Sequence, residues 1–290
     1  MIVVAGGSGL LGRLIVEDLL ARGETIRVVV RDVDRAKALL GPDVEVVAAD
    51  VRHAKTVRAA LDGATVVISA VHGFLGGRGA GPDEIDRLGN ANLINSAREL
   101  DADFVLMSIV GASASSPLDL FRAKYAAEQL LRESGVPWTV VRATAFLETW
   151  IQILTQTAGK SGRPLIFGRG EQPIPFVSAH DVAAVVTVAA TDAQYRGRIL
   201  EIGGEPLTMM ELARGLQSSR GWSGTARHLP RGLLRTMAVV ARPVRPAFAR
   251  QNRTALAMDV TTLGDLSAPA SPLGVPLRTA ADALHEPSRR

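Results

Sequence analysis

Ile2-Val3-Val4-Ala5-Gly6-Gly7-Ser8-Gly9-Leu10-Leu11-Gly12 decides the fold: a short apolar run meets a GxxGxxG turn, and an amphipathic stretch follows directly to Arg22. Gly6 permits a tight turn, Gly9 lets the backbone approach a pyrophosphate, and Gly12 lets the helix pack close to the strand. The helix start adds free N–H groups and a dipole that favours an anion. Gly6, Ser8, Gly9, Leu10, Leu11 and Gly12 are therefore candidate dinucleotide-binding residues. The competing reading is a purely structural strand-to-helix turn.

Outward from this turn, apolar runs alternate with amphipathic stretches: Thr25 to Val30 before Asp34 to Leu40, and Val44 to Ala49 before Ala54 to Leu61. Further runs lie at Thr65 to Ser69, Phe104 to Met107 and Trp138 to Arg142, separated by helical patterns at Asp83 to Leu100 and Asp119 to Ser134. Runs of valine and isoleucine without polar alternation are strands covered on both faces. The expected fold is α/β, a doubly wound parallel sheet of the Rossmann type. Its second strand ends Val30-Arg31-Asp32. An arginine at that tip pairs with a 2′-phosphate, whereas a carboxylate holds a ribose hydroxyl. Arg31 comes first, so NADP(H) is the preferred cofactor, with NAD(H), held through Asp32, as the alternative. Asp50 is placed to meet an adenine amine or to cap the helix that starts near His53. Val51, Ala70 and Val71 sit at the same strand ends and join the cofactor residues.

The chain has 290 residues, of which 47% are hydrophobic and 21% charged, enough for a buried core. It has no cysteine, which excludes disulfides, thiolate metal sites and a cysteine nucleophile; no histidine cluster has metal-ligand spacing, so no metal is expected. There is no leader pattern and no run near the roughly 20 apolar residues of a membrane span, so the expected location is cytoplasmic. The net charge of +4 is unevenly placed: nine arginines, from Arg214 to Arg253, fall between Glu211 and Asp259 with no acid among them. Charge confined to one segment gives no expectation of nucleic-acid binding. Segment 214–253 suggests peripheral contact with an anionic membrane or an acidic partner. The alternative is that Leu233, Leu234, Met237, Val240 and Ala241 bury against the core.

In domain terms, residues 1–143 form the dinucleotide-binding region. Residues 144–290 form a smaller substrate-capping region packed on it, with some elements returning to the sheet. A helix pattern at Asp181 to Ala190, a strand-like Ile199 to Ile202 and a helix from about Thr208 fall there, and the Pro- and Ala-rich stretch Ala268 to Arg290 is expected to lie over the surface. The sequence carries no signature of oligomeric state.

Taken in order, Gly6 to Gly12, Val30 to Asp32, Asn92 to Ile94, Phe104 to Gly111, Lys124 to Leu131, Ser134 to Arg142, Phe176 to Ala183 and Leu200 to Glu205 resemble the atypical short-chain dehydrogenase/reductase superfamily, in its NmrA-like and isoflavone-reductase-like branch. The resemblance implies that Ser108 stands beside a nicotinamide, that Lys124 reaches its ribose, and that Ala143 to Phe146 line the nicotinamide pocket, with Ala143 where proline is usual. In the classical reductases a tyrosine four residues before the lysine donates the proton; here that position is Leu120. Tyr125, next to Lys124, points about 100° away round the helix. Lys124 as proton donor or base and Ser108 as polarising hydroxyl are thus the implied catalytic pair. The blander readings are an i,i+4 pair of Lys124 with Glu128 and a turn role for Ser108. Val71 to Pro82 is a glycine-rich stretch with the look of a flap, in which His72 either touches substrate or phosphate or is simply solvated. The implied function is hydride transfer from NADPH to a small carbonyl, quinone or enone-like substrate. The alternative is a noncatalytic NADP(H)-binding sensor, regulator or assembly protein. A sugar-nucleotide epimerase also relies on the missing tyrosine.

Overall fold

The first strand, β1 (Ile2–Ala5), is buried at all four residues, as a strand with both faces covered must be. The computed structural model describes residues 1–42, 44–259, 271–274 and 276–285. After β1 come α1 (Leu10–Ala21), β2 (Ile26–Val30), α2 (Val33–Leu40), β3 (Glu45–Ala48), α3 (Ala54–Ala60) and β4 (Val66–Ser69). A π-helical segment, Asp83–Gly89, runs directly into α4 (Asn90–Glu99), followed by β5 (Asp103–Ile109), α5 (Asp119–Glu133) and β6 (Trp138–Ala143). The expected single helix at Asp83 to Leu100 therefore opens with a wider winding, a feature that often marks functional sites.

The remaining elements are β7 (Ala145–Phe146), α6 (Leu147–Ala158), β8 (Leu165–Phe167), β9 (Ile174–Val177), α7 (Ala179–Thr191), β10 (Arg198–Ile202), β11 (Glu205–Leu207), α8 (Met209–Ser219), β12 (Arg227–Leu229), α9 (Arg231–Val240), α10 (Pro246–Met258) and α11 (Ala280–His285). A capping box fixes the start of α8, with Thr208 and Glu211 each satisfying the other's backbone N–H. The Pro- and Ala-rich end lies partly outside the described residues; within them, α11 buries Ala280. No described helix is long and apolar enough to cross a membrane.

The main sheet has seven strands in the order β10-β6-β5-β4-β1-β2-β3, with β3, β2, β1, β4 and β5 paired in parallel. This is the doubly wound sheet read from the apolar runs. Smaller sheets join β11, β9 and β7, and β12 with β8.

The chain forms two compact units. The first comprises Met1–Arg142 and Val182–Leu200, the second Ala143–Asp181 and Glu201–Arg290. In the first, Val3, Leu61, Val67, Leu93, Phe104 and Leu131 are buried in one core, each contributing about 1.5–3 kcal/mol of transfer free energy. In the second, Leu147, Leu154, Ile166, Phe176, Leu212 and Leu216 form a separate cluster.

Candidate functional site

The order of the strands reverses between β1 and β4, which are adjacent although β2 and β3 intervene in the chain. Open α/β sheets bind ligands in the crevice at such a point, beyond the strand carboxyl ends. Gly6 leaves β1 at φ +86°, and a Cβ there would stand 3.0 Å from the Ala70 carbonyl oxygen and 3.2 Å from the Val71 nitrogen. The turn thus brings together Gly6, Ala70 and Val71 just beyond the ends of β1 and β4. A Cβ at Gly12 would lie 2.3 Å from the Gly6 oxygen and 2.7 Å from the Gly7 Cα, so close packing alone demands glycine there.

Gly9 differs. It is exposed, has an ordinary φ of −78°, and its Cβ would meet only the Gly6 oxygen, at 3.4 Å. Nothing in the chain itself requires glycine at this position. It precedes α1, whose start has no side-chain cap and no acid in its first turn. Open N–H groups, a bare backbone approach and the dipole's positive end fit a pyrophosphate.

Arg31 is exposed at the tip of β2 and makes no side-chain hydrogen bond or ion pair among the described residues. Asp32 is engaged locally, its Oδ1 accepting the Arg35 N–H at 3.0 Å as the N-cap of α2. Asp50 accepts from Arg52 Nε at 2.9 Å and Nη2 at 2.5 Å. That hydrogen bonding, against partial desolvation, holds its carboxyl at about 2. Arg52 Nη1 also donates to the Gly79 oxygen at 2.7 Å, tying the end of β3 to the glycine-rich loop. Asp50 does not cap α3: His53 precedes that helix without a side-chain cap. Val51 is buried, and its carbonyl accepts from Asn92 Nδ2 at 2.8 Å.

Beneath the ends of β4 and β5 lies a buried polar group that the sequence did not reveal. Lys124 Nζ, from α5, donates to the Val71 and Met107 carbonyls at 3.0 and 2.9 Å and stands 2.9 Å from Asp86 Oδ1. Asp86 Oδ1 has no well-directed hydrogen bond, so this last contact is an ion pair by distance. Asp86 Oδ2 accepts the Gly73 N–H at 2.7 Å. Asn90 Nδ2 donates to the Asp86 carbonyl at 2.7 Å, and Ser69 Oγ to Asn90 Oδ1 at 2.5 Å. The i,i+4 pair of Lys124 with Glu128 does not form. Glu128 instead accepts from the Ser108 hydroxyl and, at 3.0 and 2.6 Å, from Arg142 Nε and Nη2.

His72 lies between two anchored neighbours, Val71 held by Lys124 and Gly73 held by Asp86. Its side chain is exposed. Crowding by the surrounding protein lowers its pKa from 6.5; Lys124 adds to the lowering and Asp86 opposes it.

Ala143 and Phe146 belong to the second unit. Ala143 closes β6 and is buried; Phe146 is half-buried in β7, in register with Val177 of β9. No group of three or more His, Cys, Asp or Glu among the described residues is arranged to hold a metal ion.

A family model described as NAD(P)H-binding matches residues 6–193. An NAD(P)H azoreductase of Xenophilus azovorans is 27% identical over 223 residues, covering 76% of this chain and 74% of its own. A (4-alkanoyl-5-oxo-2,5-dihydrofuran-3-yl)methyl phosphate reductase of Streptomyces griseus is 30% identical over 281 residues, 94% of this chain and 95% of that protein. Among solved structures, an NADPH-dependent quinone oxidoreductase of Escherichia coli, complexed with NADPH, superposes with a TM-score of 0.71 at 22% identity, covering 98% of both chains.

Proposed function

This chain belongs to the NAD(P)H-binding family, and we propose that it is an NADPH-dependent oxidoreductase of the NmrA-like, atypical short-chain dehydrogenase/reductase type, acting on a small carbonyl, quinone or enone-like substrate. The observation that carries the reading is Gly9, a glycine the chain's own packing does not need, at an uncapped helix start above the reversal point of the sheet. Two relatives named as reductases, one spanning nearly the whole chain, support the reaction class.

In this reading Gly6, Ser8, Gly9, Leu10, Leu11 and Gly12 hold the pyrophosphate and Arg31 the 2′-phosphate. Asp50 and Val51 meet the adenine, and Ala70 and Val71 form the floor. Ser108, Lys124, Ala143 and Phe146 are assigned to the nicotinamide side. The bound cofactor supplies hydride, which leaves position and a proton to the protein. The Lys124 ammonium is engaged by two carbonyls and Asp86, so its role is to fix the ends of β4 and β5. Ser108 commits its single proton to Glu128 and must exchange that partner to polarise a substrate oxygen. His72, anchored on both flanks and open to water, is assigned delivery of the proton.

NADPH oxidation against a panel of quinones, carbonyls and enones tests the reading, with turnover of at least one compound expected. Tight NADPH binding without turnover would favour a noncatalytic cofactor-binding sensor, regulator or assembly protein. The leucine at position 120 and the engaged Lys124 are the observations on that side.

A further inference from the structure

Ten large apolar side chains are exposed among the described residues, and five of them fall in one stretch of the second unit: Leu233, Val239, Val240, Val244 and Phe248. Val239, Val240 and Val244 are 74%, 69% and 80% exposed. Val239 and Val240 end α9, and Val244 stands in the turn that leads to α10. In α9, Leu234 and Ala238 take the inward positions. Leu233 and Val240 therefore point outward, contrary to the reading in which they bury against the core; Leu234 does bury, and Met237 and Ala241 are half-buried.

The same stretch carries the charge asymmetry of the chain. Arg235, Arg242 and Arg245 are exposed and meet no acid among the described residues, and no acidic residue occurs between Glu211 and Asp259. Arg235 and Val239 follow at i and i+4 on α9, and Arg242 and Val244 stand in the turn just beyond it, so cations and aliphatic side chains interleave along the stretch.

We propose that this helical hairpin docks peripherally on an anionic lipid surface, with Val239, Val240 and Val244 entering the boundary between headgroups and acyl chains and the arginines on lipid phosphates. Aliphatic side chains ringed by cations are the pattern of interfacial helices. A second copy of the chain fits poorly, since a two-fold contact sets the same patch against itself and brings like charges together. An acidic protein fits less well than lipid: protein hot spots favour Trp and Tyr and disfavour Val, and residues 223–258 contain neither aromatic.

Flotation of the full chain with vesicles of phosphatidylglycerol and phosphatidylcholine, or of phosphatidylcholine alone, tests this. Binding is expected only to the anionic vesicles, falling as salt rises. Arg242→Gln with Arg245→Gln should weaken it about 30-fold, and Val239→Ser with Val240→Ser and Val244→Ser at least about 10-fold. All five positions are exposed, so thermal unfolding should stay as in wild type. Absence of binding at low salt, or equal binding to neutral vesicles, overturns the proposal. Undiminished binding of the serine variant removes the insertion. Self-association in sedimentation that the serine variant abolishes, or vesicle-independent capture on polyglutamate, assigns the surface to a second copy or an acidic protein instead.

Discussion

Lys124 and Asp86 close an ion pair beneath the ends of β4 and β5, with Nζ and Oδ1 2.9 Å apart and side chains 7% and 0% exposed. Each charge is further satisfied by backbone: two carbonyls on the lysine, one N–H on the aspartate. Removing one partner strands the other in a medium that cannot solvate it. Lys124→Met and Asp86→Asn should each lose about 3–5 kcal/mol of stability in urea unfolding, and the Lys124→Met/Asp86→Asn double variant should lose less than the sum. Additive losses would show that the two side chains act independently.

The glycines of the turn should separate packing from binding. Gly12→Ala places a methyl 2.3 Å from the Gly6 oxygen and should unfold or strongly destabilise the first unit. Gly9→Ala meets only a 3.4 Å contact, so its unfolding midpoint should match wild type while NADPH affinity falls at least about 10-fold. Calorimetry beside thermal unfolding reads both. Unchanged affinity in Gly9→Ala would return the turn to a purely structural role.

The contrast between these glycines shows what a sequence can carry. Strand residues 2–5, 26–30 and 66–69 were legible because burial on both faces leaves runs dominated by valine and isoleucine, broken inside only at Arg27, and the glycine spacing is local chemistry. The buried group under β4 was not legible. Asp86 stands among Asp83 and Glu84 like any acidic first turn, and only the crossover topology carries Lys124 to Val71, 53 residues away. The Lys124–Glu128 reading failed for a related reason: i,i+4 spacing offers a pair, but Arg142 on β6 and Ser108 on β5 satisfy that carboxylate first. Strands such as Ala145–Phe146 and Leu165–Phe167 are too short to show a period.

Arg31 at the tip of β2 should set cofactor preference. A charge-assisted contact to a 2′-phosphate is worth about 1.5–3 kcal/mol, so NADPH should bind at least several-fold tighter than NADH, and Arg31→Ala should erase the difference. Equal affinities of the wild type for the two cofactors would move the assignment to Asp32 and NAD(H).

Asp50 should contribute to acid stability. Its carboxyl is held at about 2, below the ordinary 3.8, chiefly by the Arg52 hydrogen bonds. A depressed carboxylate stabilises the fold above its unfolded pKa and loses that contribution as pH falls through the folded value. Wild type should therefore lose this part between about pH 4 and pH 2, and Asp50→Asn should lack it. Carboxyl NMR should find Asp50 near 2 in wild type and shifted back towards 3.8 in Arg52→Gln.

The proton assignment turns on His72, whose environment lowers its pKa from 6.5. The ring is then mostly neutral at pH 7, and as a proton donor it should make the single-turnover rate of NADPH oxidation rise as pH falls below 6.5, levelling off below the folded value. By linkage, a depressed histidine also stabilises the fold above 6.5 and loses that contribution as pH falls through its folded value, so rates need comparison where unfolding is negligible. His72→Gln should flatten the acid limb and slow turnover by about 100-fold or more, as for loss of a general acid. The buried pair supplies the sign test. Lys124 lowers the His72 value and Asp86 raises it, so Lys124→Met should move the limb to higher pH and Asp86→Asn to lower pH. If Lys124 were itself the donor, Lys124→Met would abolish the limb and cost about 100- to 10,000-fold in turnover, with His72→Gln close to wild type. An acid limb unchanged in both variants would mean that the proton comes from solvent.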